Sequence, residues 1–205
     1  MKTKALVILT ILFVLTSSCA KEIRRCKLAK AEKELIPYEL GQIVNFTDRD
    51  GQVIELTVTS SKTVWHKETK GTFRNDYFSN EEKVTILKSE NNNIDIKLEI
   101  YNQICNPYDY DLNIEDYGSL YIWLELYGSR LYSIIKTDTK GNILPTTIHD
   151  SMEFNNKVYY DVVEKSGSEY THDVYLDTVW QLFYNKTHGI LQINKEGENL
   201  LTIDN

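Results

Sequence analysis

Three cysteines, three prolines and nine glycines are all that 205 residues contain. Three cysteines are too few for the dense disulfide lattice of a small secreted scaffold. So little proline and glycine excludes a collagen-like or linker-dominated chain. Basic side chains are outnumbered, 23 against 30 acidic, for a formal charge of −7 and a pI of about 5.2. The broad basic face that meets nucleic acid is therefore missing, and no nucleic-acid partner is expected. Long apolar runs are lacking too. The longest, Ala5–Leu15 (ALVILTILFVL), is about half of the ~20 residues that cross a bilayer. No Gly-x-Ser-x-Gly elbow, P-loop, dinucleotide fingerprint or His-Glu-x-x-His stands anywhere in the chain, which removes the usual sequence grounds for hydrolase, nucleotide or zinc chemistry. His66, His149, His172 and His188 are scattered. Asp109 to Glu115 alternate oxygen ligands as a calcium loop does, but Ile114 occupies the place of the turn glycine and Leu120 that of the closing glutamate, so the segment reads as an acidic surface loop. No metal, cofactor or catalytic residue is assigned, and an enzyme is not expected.

What is present begins with an address. Lys2 and Lys4 precede the apolar run Ala5–Leu15, and the small residues Thr16-Ser17-Ser18 lead to Cys19, the n-, h- and cleavage regions of an export signal. This arrangement resembles the lipobox of bacterial lipoproteins, with Thr16 where the family favours leucine and Leu15 one place earlier. The resemblance implies a signal peptide at 1–18, lipidation of Cys19 and attachment to the cell envelope through the N-terminal lipid. Residue 20 is Ala rather than Asp, so the family's inner-membrane retention signal is missing and the outer membrane is the expected destination. Several acyl chains at ~0.8 kcal/mol per buried CH₂ make such an anchor nearly permanent.

With Cys19 acylated, Cys26 and Cys105 remain as an even pair, free to form a disulfide in an export compartment. Residues 19–36 are expected to be a charged tether, since KEIRRCKLAKAEKEL holds good helix formers without a clear apolar stripe and reads as a short helix or a solvated spacer.

Residues 37–205 read as a single antiparallel β domain. Ile54, Leu56 and Val58 alternate with polar residues, as do Ile94, Ile96, Leu98 and Ile100. Tyr121–Tyr127, Leu131–Lys136, Lys157–Val163, Thr178–Tyr184, Ile190–Asn194 and Leu200–Ile203 continue the pattern. Half-polar alternation belongs to sheets with one buried face. Asp50-Gly51 suits a primed hairpin turn, and Asn91–Asn93, Lys140–Asn142, His188-Gly189 and Glu196-Gly197 punctuate later strands. The fold class is all-β, about nine or ten strands of mainly antiparallel meander, with a curved sheet, a half-barrel and a sandwich as the open alternatives. The stretches Ile36–Gln42, Asn156–Val162 and Leu182–Leu191 resemble small Bacteroidota lipoproteins of unknown function. That resemblance implies an antiparallel domain on a lipid anchor and supplies no catalytic residue.

Fourteen tyrosines against six phenylalanines favour strands with wet ends. Trp65, Trp123, Trp180, Tyr159 and Tyr160 fall in strands, where one face would place them in the core and the other would offer a stacking platform. Adjacent Tyr159-Tyr160 must point to opposite faces. Asp150-Ser151-Met152 and Asp177-Thr178-Val179 resemble the O-glycosylation triplet of Bacteroidota exported proteins, with Ser151 expected in a loop and Thr178 at a strand start. The expected role is that of a binding domain for a protein or a glycan. The alternatives are a carrier with an apolar pocket in the curved sheet and a hydrolase whose carboxylates meet only in the fold.

Overall fold

A computed structural model of the chain describes residues 22–69, 77–102, 117–127, 129–138, 142–144, 147–171 and 174–204. Twelve strands and one helical turn make up the described chain: β1 (Glu22–Cys26), α1 (Lys30–Lys33), β2 (Ile43–Asp48), β3 (Val53–Thr69), β4 (Tyr77–Lys88), β5 (Ile94–Asn102), β6 (Tyr117–Leu126), β7 (Ser129–Asp138), β8 (Thr147–Phe154), β9 (Lys157–Thr171), β10 (Val174–Asn185), β11 (Gly189–Lys195) and β12 (Glu198–Asp204). They form one sheet in the order β1-β4-β3-β2-β12-β11-β10-β9-β7-β6-β5. Every pairing is antiparallel except that of β1 with β4. The expected all-β meander is thus what the chain forms, as a half-barrel sheet curled so far that β5 also pairs with β4. Its thinnest seam lies between β7 and β9, where only Leu131 and Tyr132 pair with Glu169 and Ser168. On the same edge of β9, Lys157–Glu164 pair with β8.

Alternation creates the core. Ile94, Ile96, Leu98 and Ile100 of β5 point inward with Leu120, Ile122 and Leu124 of β6 and with Trp180, Leu182 and Tyr184 of β10, all buried in one cluster. The strand patterns at β4, β8 and the outer half of β3 are weaker, because those segments carry polar residues on both faces, and they are strands that the periodicity alone does not reveal.

The turns correct one expectation. Gly51 has φ +77, but Asp50 is not left-handed. The Gly51 N–H donates to the Asp48 carbonyl at 3.0 Å, and the Asp48 carboxylate accepts the N–H groups of Asp50 and Gln52 at 2.9 and 2.8 Å. This is a three-residue loop, a type I turn closed by a glycine bulge, rather than a primed turn. The Asp48 carboxylate closes the loop by accepting these two N–H groups. Two successive positive φ values, the mark of a primed turn, occur instead at Asn155-Asn156 (47 and 62) and Glu196-Gly197 (55 and 83).

Residues 22–36 are not a solvated spacer. β1 lies along β4, and Leu28, Leu35 and Ile36 enter the core cluster. The buried Glu81 carboxylate accepts the Leu28 N–H at 2.9 Å and the Lys33 ammonium at 2.6 Å. Lys83 donates to the carbonyls of Lys33 and Ile36 at 2.8 and 2.7 Å. Long-range polar partners, invisible in the local pattern, decide the placement of this segment.

Cys26 is disulfide-bonded; Cys19 and Cys105 lie outside the described residues. β1 and β5 share one edge of β4, with Cys26 opposite Asn80 and Tyr101 opposite Glu82, and Asn102 precedes Cys105 by three residues. Non-reducing peptide mapping of the protein is expected to recover Cys26 joined to Cys105. Recovery of Cys26 joined to Cys19 would overturn that expectation and the acylation of Cys19 together.

Candidate functional site

The outer face of β4–β7 gathers side chains from distant parts of the chain in register. Glu82, Tyr101 and Ser119 share one cross-strand row, Val84, Glu99, Tyr121 and Ile134 the next, and Ile86, Lys97, Trp123 and Tyr132 the third. A fourth row holds Lys88, Asp95, Glu125 and Arg130. Directly opposite and diagonal neighbours on one face are close enough for rings to touch. They do so here across three strands. Tyr101 and Tyr121 stack at 4.7 Å with planes 4° apart, Tyr121 and Tyr132 follow at 6.1 Å, and Tyr132 meets Trp123 at 4.2 Å.

Each of these rings spends its contacts on its neighbours, except at the end of the row. Trp123 is 43% exposed and borders a groove of about 380 Å³, whose floor and walls include Ile86, Lys97, Leu131 and Tyr132. The rim carries Lys88 with Asp95, 2.6 Å apart, and Arg130 with Glu125, 3.9 Å apart. The arrangement is a flat apolar surface at the end of a row of three tyrosines, with charged hydrogen-bonding groups of both signs around it.

At the other end of the row two carboxylates meet. Glu82 is hydrogen-bonded to Glu99 and lies 2.6 Å from His66 Nε2; Glu99 in turn pairs with Lys97. Burial, then the hydrogen bond and the negative charge of Glu99, push the Glu82 carboxyl up from 4.5 to about 7, against the pull of Lys97 and Lys62. Burial and the neighbouring Tyr121 raise the Tyr101 phenol as well. A raised folded-state value means that the stability Glu82 contributes is fully present below its unfolded pKa and is lost as pH rises through about 7. Glu82→Gln is therefore expected to gain thermal stability over the unchanged protein as pH climbs from about 4.5 to 8. Parallel melting profiles across that range would refute the raised Glu82 carboxyl.

The five aromatics singled out from sequence separate. Trp123 stands at the groove, and Tyr160 is 68% exposed on β9 beside Ser151 of β8. Trp65 is 38% exposed, with the Arg25 guanidinium 4.4 Å over its ring. Trp180 and Tyr159 are core residues and are unavailable to a ligand. Trp180 is sealed because its strand partner is Gly167, whose missing side chain leaves room for the indole, and Tyr159 packs against Phe154 and His188. Tyr159 and Tyr160 do point to opposite faces. Ser151 lies exposed within β8 rather than in a loop, because Asn155-Asn156 turns the chain only after Phe154. Thr178 falls inside β10, where the register shifts between Leu176 and Val179. The acidic segment Asp109–Asp116 and His172 lie outside the described residues.

Tyr101, Tyr132, Glu82 and Glu99 escape a reading of the sequence. Tyr121 and Trp123 carry a local signal, two aromatics on one strand face. Tyr101 and Tyr132 become their neighbours only through strand register. No protein-family model matches the chain, and neither a curated protein nor a solved structure matches it.

Proposed function

We propose that this chain is a non-catalytic binding domain, held on a bacterial envelope membrane by lipid at Cys19, whose groove beside Trp123 takes a glycan. The observation that carries the reading is the exposed indole at the end of a braced aromatic row. A pyranose offers an apolar C–H face to such a ring and hydroxyls to the charged rim. A groove of about 380 Å³ is within the size range of small-ligand sites, whereas a protein partner needs roughly 800 Å² of contact on each side. The carrier reading is less favoured, since Trp180, Tyr184, Phe46 and Leu56 fill the inside of the sheet. Hydrolysis is also less favoured, because Glu82 and Glu99 are in hydrogen-bond contact, closer than the ~5–9.5 Å that glycosidase carboxylates keep between them.

Calorimetric titration against a panel of neutral oligosaccharides tests the proposal. Trp123→Ala is expected to weaken binding at least about tenfold, the scale of a lost interface hot spot, while Tyr160→Ala leaves it unchanged. Undiminished binding by Trp123→Ala, or no binding of any sugar by the unchanged protein, would overturn the glycan reading.

A further inference from the structure

The end of the sheet where the described chain begins carries a surface of a different kind. Arg25, Trp65, Lys67 and Tyr77 lie together there. β1 pairs with the start of β4 (Glu22 with Tyr77, Arg25 with Ser79), and β3 flanks the other edge (Lys67 with Ser79, Trp65 with Glu81). The Arg25 guanidinium sits 4.4 Å over the Trp65 ring and the Lys67 ammonium 4.8 Å over that of Tyr77. Arg24, Arg25, Trp65 and Lys67 are exposed. Among the described residues no carboxylate lies within ion-pair distance of Arg24, Arg25 or Lys67, although acidic side chains outnumber basic ones in the chain. Lys33, Lys88 and Lys97, by contrast, pair with Glu81, Asp95 and Glu99. Unneutralised cations laid over half-exposed aromatic rings are the composition of a membrane–water interface, where Trp and Tyr sit at headgroup depth and Arg and Lys meet anionic lipid.

We infer that this surface rests on the bilayer that holds the lipid anchor. The inference builds on the acylation of Cys19 proposed above. Cys19 precedes Glu22 by three residues, a reach of at most ~10 Å, so an acylated chain cannot carry the start of β1 far from the headgroups. The occupant is therefore a phospholipid surface with an anionic component. One consequence concerns the groove. Trp123 stands in the row of Ile86, seven residues along β4 from Ser79, or about 23 Å at the usual rise of a strand. A domain resting on this end presents the Trp123 groove away from the lipid, open to ligands in the aqueous phase.

The test uses the full acylated protein in vesicles of phosphatidylethanolamine and phosphatidylglycerol, with and without brominated acyl chains, which quench tryptophan only at close approach. Intact mass and co-flotation report the anchor separately. Quenching is expected in the unchanged protein and in Trp123→Phe, with most of it lost in Trp65→Phe and reduced in Lys67→Glu. Quenching that is equal in Trp65→Phe, or absent from a protein that carries acyl mass and floats, overturns the resting surface and leaves the anchor standing. A chain without acyl mass at Cys19 that stays in solution overturns the anchor and this surface together.

Discussion

Gly189→Ala is expected to cost about 3 kcal/mol of folding stability and to lower Tm by roughly 6–12 °C. Two penalties meet at this residue. Its φ of +78 lies in the left-handed region, where an added Cβ is strained whatever the space around it. The space is also taken: an alanine Cβ would stand 2.2 Å from the Tyr38 phenol oxygen and 2.4 Å from the ring carbon that bears it. Tyr38 is buried and has little freedom to retreat, since the Ile190 N–H donates to its oxygen at 2.7 Å, a contact between residues 152 apart in sequence. Burial raises the phenol far above its ordinary value, so it stays protonated. Gly41 supplies the control. Its φ is +80 with nothing within 4 Å of an added Cβ, so Gly41→Ala is expected to cost only the backbone strain, about 1 kcal/mol. Urea unfolding of the two variants measures the difference. Equal losses would mean that Tyr38 yields freely and that its bond to Ile190 does not hold it in place.

Gly167→Ala is expected to destabilise by a similar amount, about 3 kcal/mol, for a purely steric reason. Gly167 does not need a left-handed backbone. An added Cβ would fall 2.1–2.4 Å from three atoms of the Trp180 indole, whose ring covers the glycine across the β9–β10 pair. Trp180 is fully buried and touches the centre of the core cluster, so the ring has to move into occupied space or leave its strand. Near-ultraviolet circular dichroism and tryptophan emission report the displacement directly. A shift of emission to longer wavelength with loss of cooperativity is expected. An unchanged spectrum at undiminished stability would show that the core around Trp180 is far looser than its packing implies. Trp180→Phe serves as the companion, because it leaves a cavity in place of a clash and is expected to cost less in combination with Gly167→Ala than alone.

Glycine 167 and Glycine 189 look alike in the sequence, each a single glycine near strand residues, and nothing within several positions announces Trp180 or Tyr38. The same limit applies at the candidate site. Alternation along Ile94–Ile100 and Tyr121–Leu126 is local, and it assigns each side chain to one face with no knowledge of neighbours. Tyr121 and Trp123 are therefore legible as a pair. Which rings flank them depends on the register of β5 on β6 and of β6 on β7, a sum of hydrogen bonds and packing spread over whole strands. Glu82 and Glu99 become partners for the same reason, 17 residues apart in the chain and neighbours across β4 and β5. The segment 22–36 reads as a short helix or a solvated spacer because its local composition is charged; the helical turn forms at Lys30–Lys33, but the carboxylate that captures the segment, Glu81, comes from a different strand.

The amino-acid sequence by itself determined the strand class of this protein, most of its strand positions and its turn sites, because period-two burial and left-handed turn residues act over a few neighbours. Only the tertiary structure decided that the sheet curls until β5 meets β4, that Trp180 and Tyr159 belong to the core while Trp123 faces a groove, and that the N-terminal segment is part of the fold. Those outcomes rest on contacts between residues tens of positions apart, whose energies depend on which strands pair and in what register, and no short stretch of chain encodes that choice alone.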